Sequence, residues 1–194
     1  MSTLATDLPL DVDGFLDWEG RQGERFERLD GVVRMMSGGT AAHDRIAGNL
    51  YVALRTRLRE LGGCDVHLSN LKVVARKVGA VMYPDLFVRC GTRLQQEVVT
   101  DDPVVVVEVL STSTAQRDLT RKKYAYQSIP SVAAIVYVSQ REPWVDIVRR
   151  TEHGWADGYV EGMDAVLELP EIGAAVPLAL IYEDVAFEPA PAED

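Results

Sequence analysis

From Pro103 to Leu110 the chain reads Pro-Val-Val-Val-Val-Glu-Val-Leu, and a glutamate inside such a run constrains the fold more than any other feature. A strand that is apolar on both faces must be covered on both sides, as a central strand of an α/β sheet is. A carboxylate almost never sits in that setting unless it is paired or binds a cation. The chain must therefore build a two-sided sheet and place a polar site where Glu108 emerges.

The surrounding sequence supplies the elements. Phe26 to Leu29, Asp30-Gly31 and Val32 to Met36 predict two strands around a tight Asp-Gly turn. Ile46, Leu50, Leu54, Leu58 and Leu61 recur at helical spacing, so a long helix is expected from about Thr40 to Leu61, with Gly62-Gly63 as its stop. Strands are expected at Val66 to Leu68, Leu71 to Ala75, Val81 to Val88 and Pro103 to Leu110. Ser111-Thr112-Ser113-Thr114 then offers N-cap oxygens to a basic helix from about Ala115 to Ser128, closed by Pro130. Val132 to Val138, Trp144 to Arg149, Trp155 to Val160 and Ala165 to Leu169 complete the expected strands. This order describes an α/β (α+β) chain with a mixed central sheet flanked by helices. One domain is expected over residues 1–187, followed by an acidic, disordered Pro/Ala-rich tail at 188–194.

Composition matters chiefly for the choice of partner. The net charge of −10 disfavours coating nucleic acid by bulk charge, but its distribution is uneven. Residues 1–20 hold five acids and no base, residues 151–194 hold 11 acids and no base, and all 20 bases lie between Arg21 and Arg150 with 14 acids. The middle of the chain is thus mildly basic, which permits weak, salt-sensitive phosphate contact. No apolar stretch approaches the ~20 residues of a membrane helix, and the first 20 residues carry neither a basic nor a long apolar block, so the expected location is the cytoplasm, with no membrane contact. Cys64 and Cys90 stand far apart in no CxxC spacing and are expected to be two buried thiols, with neither a disulfide framework nor a zinc site.

Asp85, within Val81-Met82-Tyr83-Pro84-Asp85-Leu86-Phe87-Val88, is a second acid in an apolar strand pattern. If its strand neighbours that of Glu108, the pair would hold a hard divalent cation through oxygens, with waters completing the shell. Taken alone, Asp85 reads better as a strand-end acid that faces solvent or pairs with an arginine than as a metal ligand. Downstream lie Arg117, Asp118, Arg121, Lys122 and Lys123, with Tyr124 and Tyr126 behind them. A lysine beside a metal site can orient water or stabilise developing charge, although a solvated basic face is the commoner fate of such a cluster.

Pro84-Asp85, Glu108-Val109-Leu110-Ser111, then Asp118, Lys122 and Tyr126, followed by Ile129-Pro130 and a strand, resemble the Uma family of restriction-endonuclease-like proteins (DUF820), within the PD-(D/E)xK nuclease superfamily. The Phe26-Glu27-Arg28-Leu29-Asp30-Gly31 hairpin and His43 extend the resemblance over roughly residues 10–185. The superfamily lysine usually follows the acid by two residues, a position held here by Leu110. The resemblance implies that the lysine has moved to the next helix, onto Lys122, with Lys123 as the neighbour that a register shift would select. It further implies Asp85 and Glu108 as metal ligands, the Val109 carbonyl as another oxygen, Glu27 as a third carboxylate, and His43 as a contact to substrate or water. Gly38-Gly39-Thr40 replaces a Ser-Pro-Pro-like segment, and Ser139 stands where the family often ends its strand with Asp.

These residues lead to the expectation of a Mg2+-dependent DNA endonuclease, with Mn2+ as an alternative metal and Asp85, Glu108 and Lys122 as the catalytic set. A symmetric dimer most simply cuts both strands of a duplex, so a homodimer is expected. The competing readings are a non-catalytic DNA- or protein-binding module that retains the nuclease fold, and a metal-dependent hydrolase of another phosphate ester.

Overall fold

A computed structural model describes residues 6–7, 11–36, 38–92, 95–110 and 115–187. The N-terminal part contains β1 (Thr6–Asp7), α1 (Val12–Glu19), β2 (Phe26–Leu29), β3 (Val32–Met35) and α2 (Ala41–Leu61). The middle holds β4 (Cys64–Leu68), β5 (Lys72–Ala75), β6 (Ala80–Met82), β7 (Leu86–Cys90), β8 (Val99–Thr100), β9 (Val105–Leu110) and α3 (Ala115–Gln127). The remainder is β10 (Ala134–Ser139), β11 (Trp144–Thr151), β12 (Gly154–Glu161), β13 (Val166–Leu169), β14 (Ala174–Pro177) and α4 (Leu178–Ile181).

The expected mixed sheet is present, ordered β12-β11-β10-β9-β7-β4, with β9 at its centre. β10 pairs with β9 in parallel and β7 pairs with it antiparallel. A second six-stranded sheet, β1-β3-β2-β6-β5-β8, was not expected. It exists because Val81 to Val88 is two strands rather than one. Pro84 has no amide hydrogen to give to a ladder, and at Tyr83-Pro84-Asp85 the chain leaves β6 in one sheet and enters β7 in the other. Asp85 is therefore a residue of the crossing, not of a strand interior.

The elements stack as layers. Phe15 and Val12 of α1 pack on Val33, Val74 and Val81 on the outer side of the second sheet. Its inner side meets α3 and one face of the central sheet, joining Val73 and Met82 to Tyr126, Phe87, Val106 and Ile135. The opposite face of the central sheet receives Ile46, Leu50, Leu54 and Leu58 of α2, together with Leu167, Val176 and Ile181 from the C-terminal hairpin and α4. Leu61, expected in the buried stripe of α2, is instead exposed beside the Gly62 stop. The Asp-Gly turn forms as expected, with positive φ at Asp30 (51°) and Gly31 (77°). Thr40 caps α2 by accepting the amide of His43. The expected caps at 111–114 and the tail at 188–194 lie outside the described residues. Among the described residues no helix is long and apolar enough to cross a membrane.

The thiol expectation is overturned. The antiparallel β4–β7 register sets Cys64 opposite Cys90, and the two form a disulfide with Cα atoms 3.9 Å apart. The neighbouring Gly63–Gly91 pair carries the ladder hydrogen bond, so the cysteines fall on a non-hydrogen-bonded rung, where side chains approach most closely. Sequence spacing does not reveal this, because the pairing depends on the register of strands 26 residues apart.

Candidate metal and nuclease centre

Alternation along β9 sends Val105, Val107 and Val109 toward α2, and Val106, Glu108 and Leu110 toward α3 and the second sheet. Leu86 lies opposite Val107, and one step further the register brings Asp85 beside Glu108. The two acids singled out in the sequence thus meet. Asp85 Oδ2 accepts the Val109 amide at 2.7 Å and contacts His43 Nε2 at 3.1 Å. The Val109 backbone therefore fixes the Asp85 carboxylate through its N–H.

Glu108 is 7% exposed and is held from α3. Its Oε1 accepts from Tyr126 Oη at 2.6 Å and from Lys122 Nζ at 3.1 Å. The same ammonium lies 2.9 Å from Glu27 Oε1 on β2, and the Tyr83 amide donates to that oxygen at 2.8 Å. Lys122 and Tyr126 are four residues apart, one helical turn, which directs both at the same carboxylate. Lys123 turns away to Asp157 at 2.6 Å. Lys122 is accordingly the lysine among the carboxylates. Asp118 lies in α3, but its side chain is outside the described residues.

Burial pushes the Glu108 carboxyl up to about 7, with Asp85 and Glu27 adding to the shift while Lys122 and Tyr126 oppose it. Burial alone would lower the Lys122 ammonium. The attraction of Glu108 and Glu27 outweighs it, and the pKa of Lys122 rises. The hydrogen bond to Asp85 raises His43 above the ordinary imidazole value despite burial. The Lys122 ammonium is thus shared by Glu27 and Glu108, while Asp85 beside them is held by His43 and the Val109 amide, so the centre gathers three carboxylates.

In the described contacts, only Asp85 Oδ2, Glu108 Oε1 and Glu27 Oε1 are engaged, so each carboxylate has a second oxygen beyond those contacts. No three His, Cys, Asp or Glu side chains among the described residues are spaced to ring one ion. The donor set fits a small hard cation that keeps several waters and takes one or two carboxylates.

The Gly38-Gly39-Thr40 departure reaches Gln140, the residue after Ser139. Thr40 Oγ donates to Gln140 Oε1 at 2.6 Å, and Gln140 Nε2 donates to the Leu110 carbonyl at 2.9 Å, tying the start of α2 to the ends of β9 and β10. A Cβ at Gly39 would stand 3.0 Å from the His43 ring, so the glycine gives the imidazole room to reach Asp85. Sequence reading missed Tyr137. It pairs with Glu108 across β9 and β10, so it lies on the same face, and its hydroxyl is buried without a hydrogen-bond partner among the described residues. A tyrosine in a valine-rich strand was visible, but its proximity to Glu108 required the register.

Comparison with known proteins agrees with this architecture. The "Putative restriction endonuclease" family model, Uma2, matches residues 12–179. The "Uncharacterized protein slr1290" of Synechocystis sp. is 31% identical over 180 residues, covering 92% of this chain and 94% of that protein. The "Uncharacterized protein sll1609" of the same organism is 27% identical over 144 residues, covering 72% of this chain and 80% of that protein. A crystal structure described as a putative nuclease belonging to DUF820, from Anabaena variabilis, superposes with a TM-score of 0.74 at 15% identity, covering 90% of this chain and 98% of that one, and it shares the fold. The chain belongs to the Uma2 family.

Proposed function

We propose that this Uma2-family chain is a metal-dependent endonuclease that hydrolyses DNA phosphodiester bonds. The observation that carries this reading is the junction of two sheets at which Glu27 and Glu108 share the Lys122 ammonium and the strand register sets Asp85, held by His43 and the Val109 amide, beside Glu108. Asp85 and Glu108 would hold Mg2+ or Mn2+, with the Val109 carbonyl and Glu27 as further oxygens. When bound, the cation supplies positive charge to the phosphodiester oxygens and to the attacking water.

The chain's own residues then have separable tasks. Lys122 gives two of its three N–H bonds to Glu27 and Glu108, leaving a third donor for water or a phosphate oxygen. Tyr126 fixes the Glu108 carboxylate from α3, and the Val109 amide with His43 fixes that of Asp85. Holding these groups on strands and a helix removes reorganisation from the reacting geometry.

Cleavage of plasmid DNA with Mg2+ or Mn2+ tests the proposal against Glu108→Ala and Lys122→Ala, each expected to lower the rate at least about 100-fold. Equal cleavage by all three proteins would sink it. A second reading, a non-catalytic module that retains the fold, is favoured by the Lys122 contacts alone, because an ammonium bridging two acids needs no metal. Calorimetric Mn2+ binding that disappears in Asp85→Asn and Glu108→Gln separates the two, since a scaffold gives no such dependence.

A further inference from the structure

We propose that the cavity beside the metal centre is a subsite for one unpaired DNA base, an inference that rests on the nucleic-acid reading of the neighbouring site and deepens it. The cavity has a volume of about 380 Å3 and lies between α3 and strands β10 to β12. Leu110 and Leu119 give it apolar wall, and Tyr137, Asp146, Lys123 and Asp157 give it polar groups. Its size falls within the roughly 300–1,000 Å3 of small-molecule sites, enough for a nucleobase.

Three observations select a base. Tyr137 is 7% exposed, lines the cavity and leaves its hydroxyl without a partner among the described residues. Buried hydroxyls are ordinarily satisfied, so this one asks for a polar ligand atom. Tyr137 is also the direct strand neighbour of Glu108, which sets the cavity next to the phosphodiester-cleaving groups.

The second observation is an aromatic platform on the same sheet face. Asp146 pairs with both Tyr137 and Tyr159, so these three side chains and Trp144 share a face. The Trp144 and Tyr159 rings stack with centroids 4.3 Å apart and planes within 8°. Trp144 Nε1 donates to Asp146 Oδ1 at 2.9 Å, fixing the indole, while Tyr159 is 58% exposed. A flat, partly exposed ring supported from below is the surface on which unpaired bases stack.

The third observation is charge. Asp146 and Asp157 face the cavity, and Lys123 is neutralised by Asp157 at 2.6 Å. This lining repels a phosphate backbone but accepts hydrogen bonds from amino and imino groups on a base edge. The strand would pass its phosphates along the metal centre and turn one base into the cavity.

The test uses single-stranded DNA carrying one 2-aminopurine, and the same sequence as a blunt duplex, both with wild-type protein in EDTA so that no cleavage occurs. Binding of the single strand is expected to quench 2-aminopurine and to be at least about fivefold tighter than binding of the duplex. Tyr159→Ala, an exposed change with little folding risk, is expected to weaken single-strand binding about tenfold. Tyr137→Phe, nearly isosteric, is expected to weaken it a few-fold, and neither variant should alter duplex binding. Absence of quenching, or single-strand affinities in both variants equal to wild type, overturns the subsite. Duplex cleavage with Mg2+ is scored separately. Absent duplex cleavage with retained, Tyr159-dependent quenching of the single strand refutes the nuclease reading alone, whereas duplex cleavage together with single-strand binding that does not depend on Tyr159 refutes the subsite alone.

Discussion

Strand β9 has the same backbone on both sides but faces two different interiors. Toward α2, Val105, Val107 and Val109 join an apolar cluster that runs from Ile46 and Leu54 to Val136 and Leu178. Toward α3, Glu108 lies between Val106 and Leu110 and is surrounded by Lys122, Tyr126 and the Glu27 carboxylate. Val107 and Glu108, one on each side, are both buried. A charge is therefore tolerated where α3 and β2 supply partners for it, and is excluded where α2 supplies methyl groups.

The most severe way to break this contrast is to move the acid across the strand. Val107→Asp puts an unpartnered carboxylate against α2 and should cost more than about 4 kcal/mol, read as loss of cooperative unfolding in urea. Retention of near-wild-type stability would show that the α2 face is not the dry layer described. On the other side, Lys122→Met leaves Glu27 and Glu108 facing each other and should cost about 3 kcal/mol without metal. Mn2+ should restore part of this loss in thermal melts, which it would not do if the carboxylates did not share a cation.

The disulfide sharpens the comparison at the sheet edge. Cys64→Ser with Cys90→Ser opens a loop of 26 residues and should lower stability by about 3 kcal/mol on a chain-entropy estimate, measured by denaturant unfolding. An unchanged midpoint would mean that apolar packing alone closes the α2 side. The smallest effect concerns His67, which stacks on Phe87 at 4.9 Å. Burial lowers its pKa below 6.5, so the unfolded chain takes up the proton first. Its contribution is present above about pH 6.5 and is lost as pH falls through the lower folded value. A loss under about 1 kcal/mol between pH 7.5 and 5 is expected, and His67→Phe should abolish that part of the pH dependence.

Which parts of the molecule could be read from sequence follows the same division. The α2 face was legible because its residues repeat at regular intervals, and the Asp-Gly hairpin because the dipeptide itself demands positive φ. The centre was legible through violation of pattern, as Glu108 and Asp85 are acids where apolar residues belong, and family resemblance pointed to Lys122. Long-range register was not legible. It decides that Pro84 separates two sheets, that Cys64 meets Cys90, that Tyr137 stands beside Glu108, and that α1 has a sheet to cover.

Lys122 touches Glu27 on one sheet and Glu108 on the other. It is therefore a rivet, because one ammonium clamps the two sheets together, and the proposed chemistry would use that same group. A change that slides one sheet against the other strains these two ion pairs, and a substitution that removes the ammonium loosens that junction whatever it does to the proposed chemistry. Rates measured on Lys122 variants thus need a folding measurement beside them.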